Sequence, residues 1–193
     1  MRKLIYSMGV SLDGYVTGPD GRHDWSVPDA ELHRFHNEQT ASLGAHLLGR
    51  RLYEDMLGWE TEDQPRGVRS QFAEAWEALD KVVFSTTLDA VEGSSRLATA
   101  GIAEEVARLR EHPGGDIAVG GPGLAAGVIG LGLMDEYHLF VNPIVVGGGT
   151  PFFPTLDAPI DVELAETRTF GSGVVYLRYR STSPPGSRPA AEC

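Results

Sequence analysis

The 193-residue chain contains a single cysteine, Cys193, at its last position. That excludes an intramolecular disulfide and a cysteine-based zinc site, and a thiol nucleophile is not expected. No apolar run reaches the 18 or so residues that would suggest a membrane span. Basic residues are outnumbered: 16 Lys and Arg against 27 Asp and Glu give a formal net charge of −11. Nucleic acids and anionic membranes are bound chiefly through basic surface, so neither is an expected partner. The opening "MRKLIYSMGV" carries two basic residues and only a short apolar stretch that runs straight into a strand pattern. A cleaved signal peptide is therefore not expected, and the cytoplasm is the expected location. Of the six histidines only His33 and His36 share a helix face, and no cysteine or catalytic glutamate motif accompanies them, so no metal is expected.

What is present is an ordinary globular composition, 41% hydrophobic and 22% charged, enough for one domain with a full core. The domain is expected over residues 1–180, with "STSPPGSRPAAEC" at 181–193 as a flexible tail. "KLIYSMGV" reads as a buried strand, and residues from Pro28 or Asp29 to about Ala45 as a helix with acidic residues in its first turn. "HLLG" and "KVVFS" read as strands; "RRLYEDML", "GVRSQFAEAWEALD" and "AEEVARLREH" read as helices. "DIAVGG", the helix "PGLAAGVIGLGL" and a long strand "DEYHLFVNPIVV" follow. "VELAETRTF" and "GVVYLRYR" alternate as an antiparallel hairpin around Gly171-Ser172-Gly173. Strands alternating with helices, then strands alone, predict a three-layer α/β fold with a mainly parallel sheet and an antiparallel edge.

Three strand ends stop in polar or glycine-rich turns, "LLGRRLYE", "VFSTTL" and "VGGPGLAAG". Ligands of open α/β sheets collect outside the carboxyl ends of the strands, so the three turns could converge on one elongated ligand. Arg50 and Arg51 open a helix, where a positive side chain opposes the dipole and needs an anionic partner or a salt bridge, such as to Glu54 and Asp55. Gly120, Gly121 and Gly123 admit two readings: a tight strand-to-helix turn, or a phosphate cradle of free backbone N–H groups. "GGPGLAAG" follows a late strand and is not the G-x-G-x-x-G fingerprint of a standard dinucleotide-binding domain. "GGGTPFF" at 147–153 reads either as a loop over a pocket or as a sheet turn with Phe152 and Phe153 in the core.

Together "SLDGYVTGPDG", "LLGRRLYEDM", "VFSTTL", "IAVGGPGLAAGVIGLGLMDEYHLFVNPIVVGGGTPFF" and "GVVYLRYR" resemble the dihydrofolate-reductase-like superfamily over residues 3–180. The resemblance is to single-domain proteins similar to the C-terminal reductase domain of the bifunctional riboflavin-biosynthesis deaminase-reductase. It implies NADPH stretched across the strand ends. Gly49, Arg50 and Arg51 would meet its adenosine phosphate end, and Ser85, Thr86 and Thr87 its adenine-ribose side. Gly120, Gly121, Gly123 and Leu124 would hold the pyrophosphate, with a cis peptide implied between Gly120 and Gly121. The nicotinamide would lie near Met8, Gly9, Val10 and Val16, with Asp13 and Trp25 bordering a substrate pocket that Met8 also lines. Glu31 matches the first-helix carboxylate of folate-reducing relatives if one residue is inserted after Pro28. Asp13 or Glu31 would orient the substrate or relay a proton; for Asp29 a helix N-terminal charge is the expected role.

The function these features imply is an NADPH-dependent reductase passing hydride to a C=N bond of a pterin-like or aminopyrimidine-type, riboflavin-precursor-like substrate. A true dihydrofolate reductase and a non-catalytic NADPH-binding sensor are the alternatives, since fold does not fix function. A homodimer is an assembly the resemblance suggests.

Overall fold

The computed structural model describes residues 1–58 and 68–182. The expected tail at 181–193 lies outside them from residue 183 onward. Strand β1 (Leu4–Val10), the short β2 (Tyr15–Thr17), helix α1 (Ala30–Ala41) and β3 (Leu43–Gly49) come first. Helices α2 (Arg50–Met56) and α3 (Val68–Glu77), then β4 (Asp80–Phe84), β5 (Ser95–Leu97) and α4 (Ile102–Glu111), continue the chain. It ends with β6 (Asp116–Gly120), α5 (Pro122–Gly130), β7 (Glu136–Val141), β8 (Thr150–Pro151), β9 (Val162–Thr169) and β10 (Val175–Ser181). Eight strands form one sheet in the order β5-β4-β3-β6-β1-β7-β10-β9. The pairs from β5 to β7 are parallel, and β10 runs antiparallel to both β7 and β9. Strand β1 lies between β6 and β7, a point where the order reverses and the carboxyl ends leave a crevice.

Local chemistry sets the boundaries. Asp29 caps α1, its carboxylate accepting from Leu32 N–H at 2.8 Å. The helix stops at Ala41 rather than Ala45, because Ser42 turns its N–H back to Gln39 and Thr40 and "LGAHLLG" pairs with β4 and β6. Pro122 occupies the first turn of α5, where its missing N–H costs nothing. Strand β7 ends at Val141, short of the expected 146. Pro143 cannot donate to a ladder, and Ile144 instead gives its carbonyl to Leu12 N–H.

The sheet divides two unequal cores. On the face covered by α4 and α5, Leu4, Tyr6, Val10, Ile117 and Val119 pack with Val106, Leu109, Val128 and Ile129 in a continuous cluster. On the other face there are two separate clusters, one around Phe35, Phe140 and Tyr176, the other around Leu48, Tyr53 and Trp76. Alternation explains the gap between them. Successive β1 side chains point to opposite faces, so Leu4, Tyr6 and Val10 fill one side while Ile5, Ser7 and Gly9 lie on the other. Facing β6 contributes only Ala118 there, and a layer that cannot be filled leaves a cavity.

Candidate functional site

Two cavities meet at the carboxyl-end region of the sheet. The larger, about 750 Å³, is a groove lined by all three of the turns marked in the sequence: Gly49 to Leu52, Phe84 to Thr87, and Gly121 to Leu124. The second, about 330 Å³, opens in the unfilled layer under α1 and α3. Leu52 lines both, so the cavities abut at one side chain.

In the groove the two arginines differ. Arg50 donates to Glu54 at 2.7 Å and to Thr87 Oγ1 at 2.7 Å, tying α2 to the turn after β4. Ser85 Oγ accepts from Thr87 N–H and Leu88 N–H, which shapes that turn. Arg51 is exposed, and among the described residues its guanidinium has no ion pair or hydrogen bond.

The glycines after β6 have three different reasons. A Cβ on Gly120 would come within 2.3 Å of Leu52 Cδ2 and 2.7 Å of His46 Nε2, so this position is packing. Gly121 has φ +91°, a conformation that side chains rarely adopt. A Cβ on Gly123 would meet nothing within 4 Å, leaving it open to the groove. No cis peptide occurs among the described residues, so the expected cis bond at Gly120-Gly121 is corrected: the bend is a positive φ, not an isomer. No side chain caps α5 and Pro122 has no N–H, so Gly123 and Leu124 carry the free donors at the groove.

These glycines make a prediction. Gly121→Ala should lower stability by about 1–2 kcal/mol through left-handed strain. Gly123→Ala tests the expected phosphate cradle: it should leave the melting temperature nearly unchanged and weaken nucleotide binding. Calorimetric melting beside a nucleotide titration reads both, and a Gly123→Ala variant with full nucleotide affinity would count against the cradle.

The smaller cavity has apolar walls from Ile5, Met8, Phe72, Trp76 and Phe140. Its polar lining holds no Asp, Glu, Lys or Arg: it is made by Ser7, Gln39, Thr40, Ser42 and the histidines 33, 36, 46 and 138. Burial, with His33 beside it, lowers His36 to about 4; burial, with Lys81 nearby, lowers His46 to about 3. Both rings are therefore uncharged at neutral pH. Lys81 is fully buried in the adjoining wall, its ammonium donating to the Trp76 and Leu79 carbonyls at the end of α3. His138 is held from both sides: Nε2 lies 3.0 Å from the Glu136 carboxylate and Nδ1 3.1 Å from the Tyr176 hydroxyl.

Several expected site residues are placed elsewhere. Val10 and Val16 are core side chains on the α4 and α5 side, and line neither cavity. Asp13 is exposed, and accepts from Val146 N–H at 3.1 Å and Gly147 N–H at 2.8 Å. A hydrogen bond from Ser11 leads the contacts that hold its carboxyl below the ordinary range, so it pins the loop after β7 as an anion. Glu31 does lie on α1, but its carboxylate accepts from Arg168 at 3.1 Å and from Gly171 N–H at 3.2 Å, bracing the β9–β10 turn. Trp25 is half-buried, its indole N–H enclosed without a partner among the described residues, and lines neither cavity. Met8 does line the smaller cavity, and nine of the expected nucleotide contacts line the groove: Gly49, Arg50, Arg51, Ser85, Thr86, Thr87, Gly121, Gly123 and Leu124. The "GGGTPFF" segment divides between its two readings: Thr150 lines the groove and Phe152 is buried and stacked on Tyr6 at 4.1 Å, but Phe153, expected in the core, is exposed.

Comparison with known proteins agrees with this architecture. The RibD C-terminal domain family matches residues 2–176. The uncharacterized protein YyaP of Bacillus subtilis (strain 168) is 32% identical over 181 residues, covering 92% of this chain and 94% of that protein. Among solved structures, the Thermotoga maritima diaminohydroxyphosphoribosylaminopyrimidine deaminase/5-amino-6-(5-phosphoribosylamino)uracil reductase superposes with TM-score 0.67 at 16% identity, over 93% of this chain and 56% of that one. Enterococcus faecalis dihydrofolate reductase complexed with NADP(H) superposes with TM-score 0.65 at 17% identity, over 94% of this chain and 97% of that one. The fold, a mainly parallel sheet edged by antiparallel strands, is thus shared with these structures, and the chain belongs to the RibD C-terminal domain family.

Proposed function

We propose that this protein is an NADPH-dependent reductase acting on a C=N bond of a planar pterin-like or aminopyrimidine-type substrate. The observation that carries the reading is the groove, where three separate strand-end turns meet beside the Arg51 guanidinium, which has no partner among the described residues, and next to an apolar cavity. Its donor set fits the cofactor. Arg51, supported by Arg50, would meet the 2′-phosphate; Ser85, Thr86 and Thr87 would meet the adenine ribose; the N–H groups of Gly123 and Leu124 would meet the pyrophosphate. NADPH, when bound, supplies hydride. The protein's residues do the rest: the walls of Ile5, Phe72, Trp76 and Phe140 exclude water and stack a flat ring, and the polar groups between them orient its edge.

The folate alternative loses its main support, because Glu31 is engaged with Arg168 and Gly171, and no carboxylate among the described residues lines the cavity. Within that cavity the proton that completes C=N reduction has imidazole, amide and hydroxyl groups to travel through. The test is a titration with NADPH, followed by loss of reduced-nicotinamide absorbance in the presence of dihydrofolate or an aminopyrimidine. Binding and turnover with the aminopyrimidine support the reading; failure to bind NADPH would sink it.

A further inference from the structure

We infer that the cavity under α1 takes an uncharged, unphosphorylated planar nitrogen heterocycle, gripped at its edge by His36 and Gln39 from one side and Ser7 from the other. The inference rests on reading this cavity as the substrate site, and names the class of substrate.

Three observations carry it. First, none of the described residues lining the cavity is Asp, Glu, Lys or Arg, whereas the neighbouring groove holds two arginines. A phosphoryl group placed here would lose its water without meeting a charged lining side chain, since the Lys81 ammonium in the adjoining wall is turned to the carbonyls that end α3, and a cationic ring would meet no carboxylate in the lining. Second, the side chains of Ser7, His36 and Gln39 make no hydrogen bond to another described residue, although each lines the cavity. His33 Nδ1, by contrast, lies 3.2 Å from Asn37 Oδ1, and His138 is bonded at both nitrogens. Unspent hydrogen-bonding groups converging from α1 and β1 on an apolar space suit recognition of a heteroaromatic edge. A neutral imidazole offers one donor and one acceptor, an amide offers both, and a hydroxyl offers either. Third, about 330 Å³ is at the small end of ligand cavities, matching a ring system better than a ring with a sugar-phosphate tail.

His36 is placed for this by its own packing. Its ring lies 4.3 Å from that of Phe140, tilted against it, and Phe140 in turn packs on Phe35 and Tyr176. A ligand stacked in the cavity would therefore meet an imidazole already held in position.

The test uses the full chain with NADP⁺ bound and compares two probes by calorimetric titration: lumazine, an uncharged bicycle, and 8-ribityllumazine 5′-phosphate. Lumazine should bind at least about tenfold more tightly, and His36→Ala and Gln39→Ala should each weaken it about five- to tenfold. His36→Gln should restore part of the loss. Melting temperatures, with NADP⁺ affinity as a second readout, show that the variants are folded and that the groove is intact. Equal or tighter binding of the phosphorylated probe, no binding of either probe, or lumazine affinity unmoved by the substitutions would overturn the inference. Loss of NADP⁺ binding by the wild-type protein would instead overturn the reading of the groove.

Discussion

Arg51→Ala is expected to cut the preference for NADPH over NADH by about ten- to a hundredfold. The guanidinium is exposed at the groove and has no partner among the described residues, in a chain of net charge −11 where a free cation facing a cavity is unusual. A charge-assisted contact to phosphate contributes roughly 1.5–3 kcal/mol, and each 1.4 kcal/mol or so is tenfold. Only NADPH carries the 2′-phosphate that would use it, so NADH affinity should barely move. Arg50→Ala should behave differently. Arg50 already bonds Glu54 and Thr87, so its loss loosens the turn that carries Ser85 and Thr86 and weakens both cofactors together. The Arg51 contribution should also shrink as salt is raised. Titration of both dinucleotides against the two variants separates these effects, and an unchanged NADPH preference in Arg51→Ala would remove the phosphate role.

Glu136→Gln should destabilise the fold by roughly 2–3 kcal/mol at neutral pH, with most of that loss disappearing in acid. Glu136 is buried at the start of β7, and its carboxylate accepts from Lys3 at 2.7 Å, from His138 at 3.0 Å and from Arg180 at 3.3 Å. Burial alone would push its pKa up. The hydrogen bonds from His138 and Lys3, with the Lys3 charge, prevail and lower it from 4.5 to about 2. Lys3 and Arg180 are about half exposed, so their contribution is discounted for screening. A carboxyl whose folded pKa lies below its unfolded one stabilises the protein fully above pH 4.5 or so, and that stability is lost as pH falls towards 2. Urea unfolding at pH 7 and at about pH 3 should therefore show the gap between wild type and variant shrinking by roughly half or more. A gap of equal size at both pH values would mean that Glu136 acts through shape rather than charge. Because His138 forms part of the cavity wall, the same variant should also loosen the apolar site.

Much of the fold was legible because its signals are local. Hydrophobic periodicity located β1, β4, β6 and the β9–β10 hairpin, and glycine or proline punctuation ended α4 and opened α5. Where two periods fit the same residues the reading slipped. "SLGAH" continues the α1 pattern as easily as it begins β3, and only pairing with β4 and β6 makes it strand. Strands β2, β5 and β8 are two or three residues long, too short for alternation to register, and exist because a partner strand lies alongside.

The groove across the strand ends could be read in advance for a related reason. Each of its turns is a contiguous stretch at a strand end, and parallel strands necessarily bring such ends to one edge. The second cavity could not. His36, His46, His138 and Ser7 come from four elements, and none carries a local mark distinguishing it from a surface or core residue. The one trace was the run Ile5, Ser7, Gly9 on a single face of β1, which shows a thinly filled layer without showing what lies opposite. For the same reason Asp13 and Glu31 resembled site carboxylates until folding supplied Gly147 N–H for one and Arg168 for the other. By itself the sequence determined the layers, the mainly parallel sheet and the three strand-end turns that line the groove, because periodicity and turn chemistry act between near neighbours. Tertiary structure alone decided which acids were consumed by backbone and arginine, and which histidines remained facing an empty layer, because those outcomes depend on partners that chain distance does not encode.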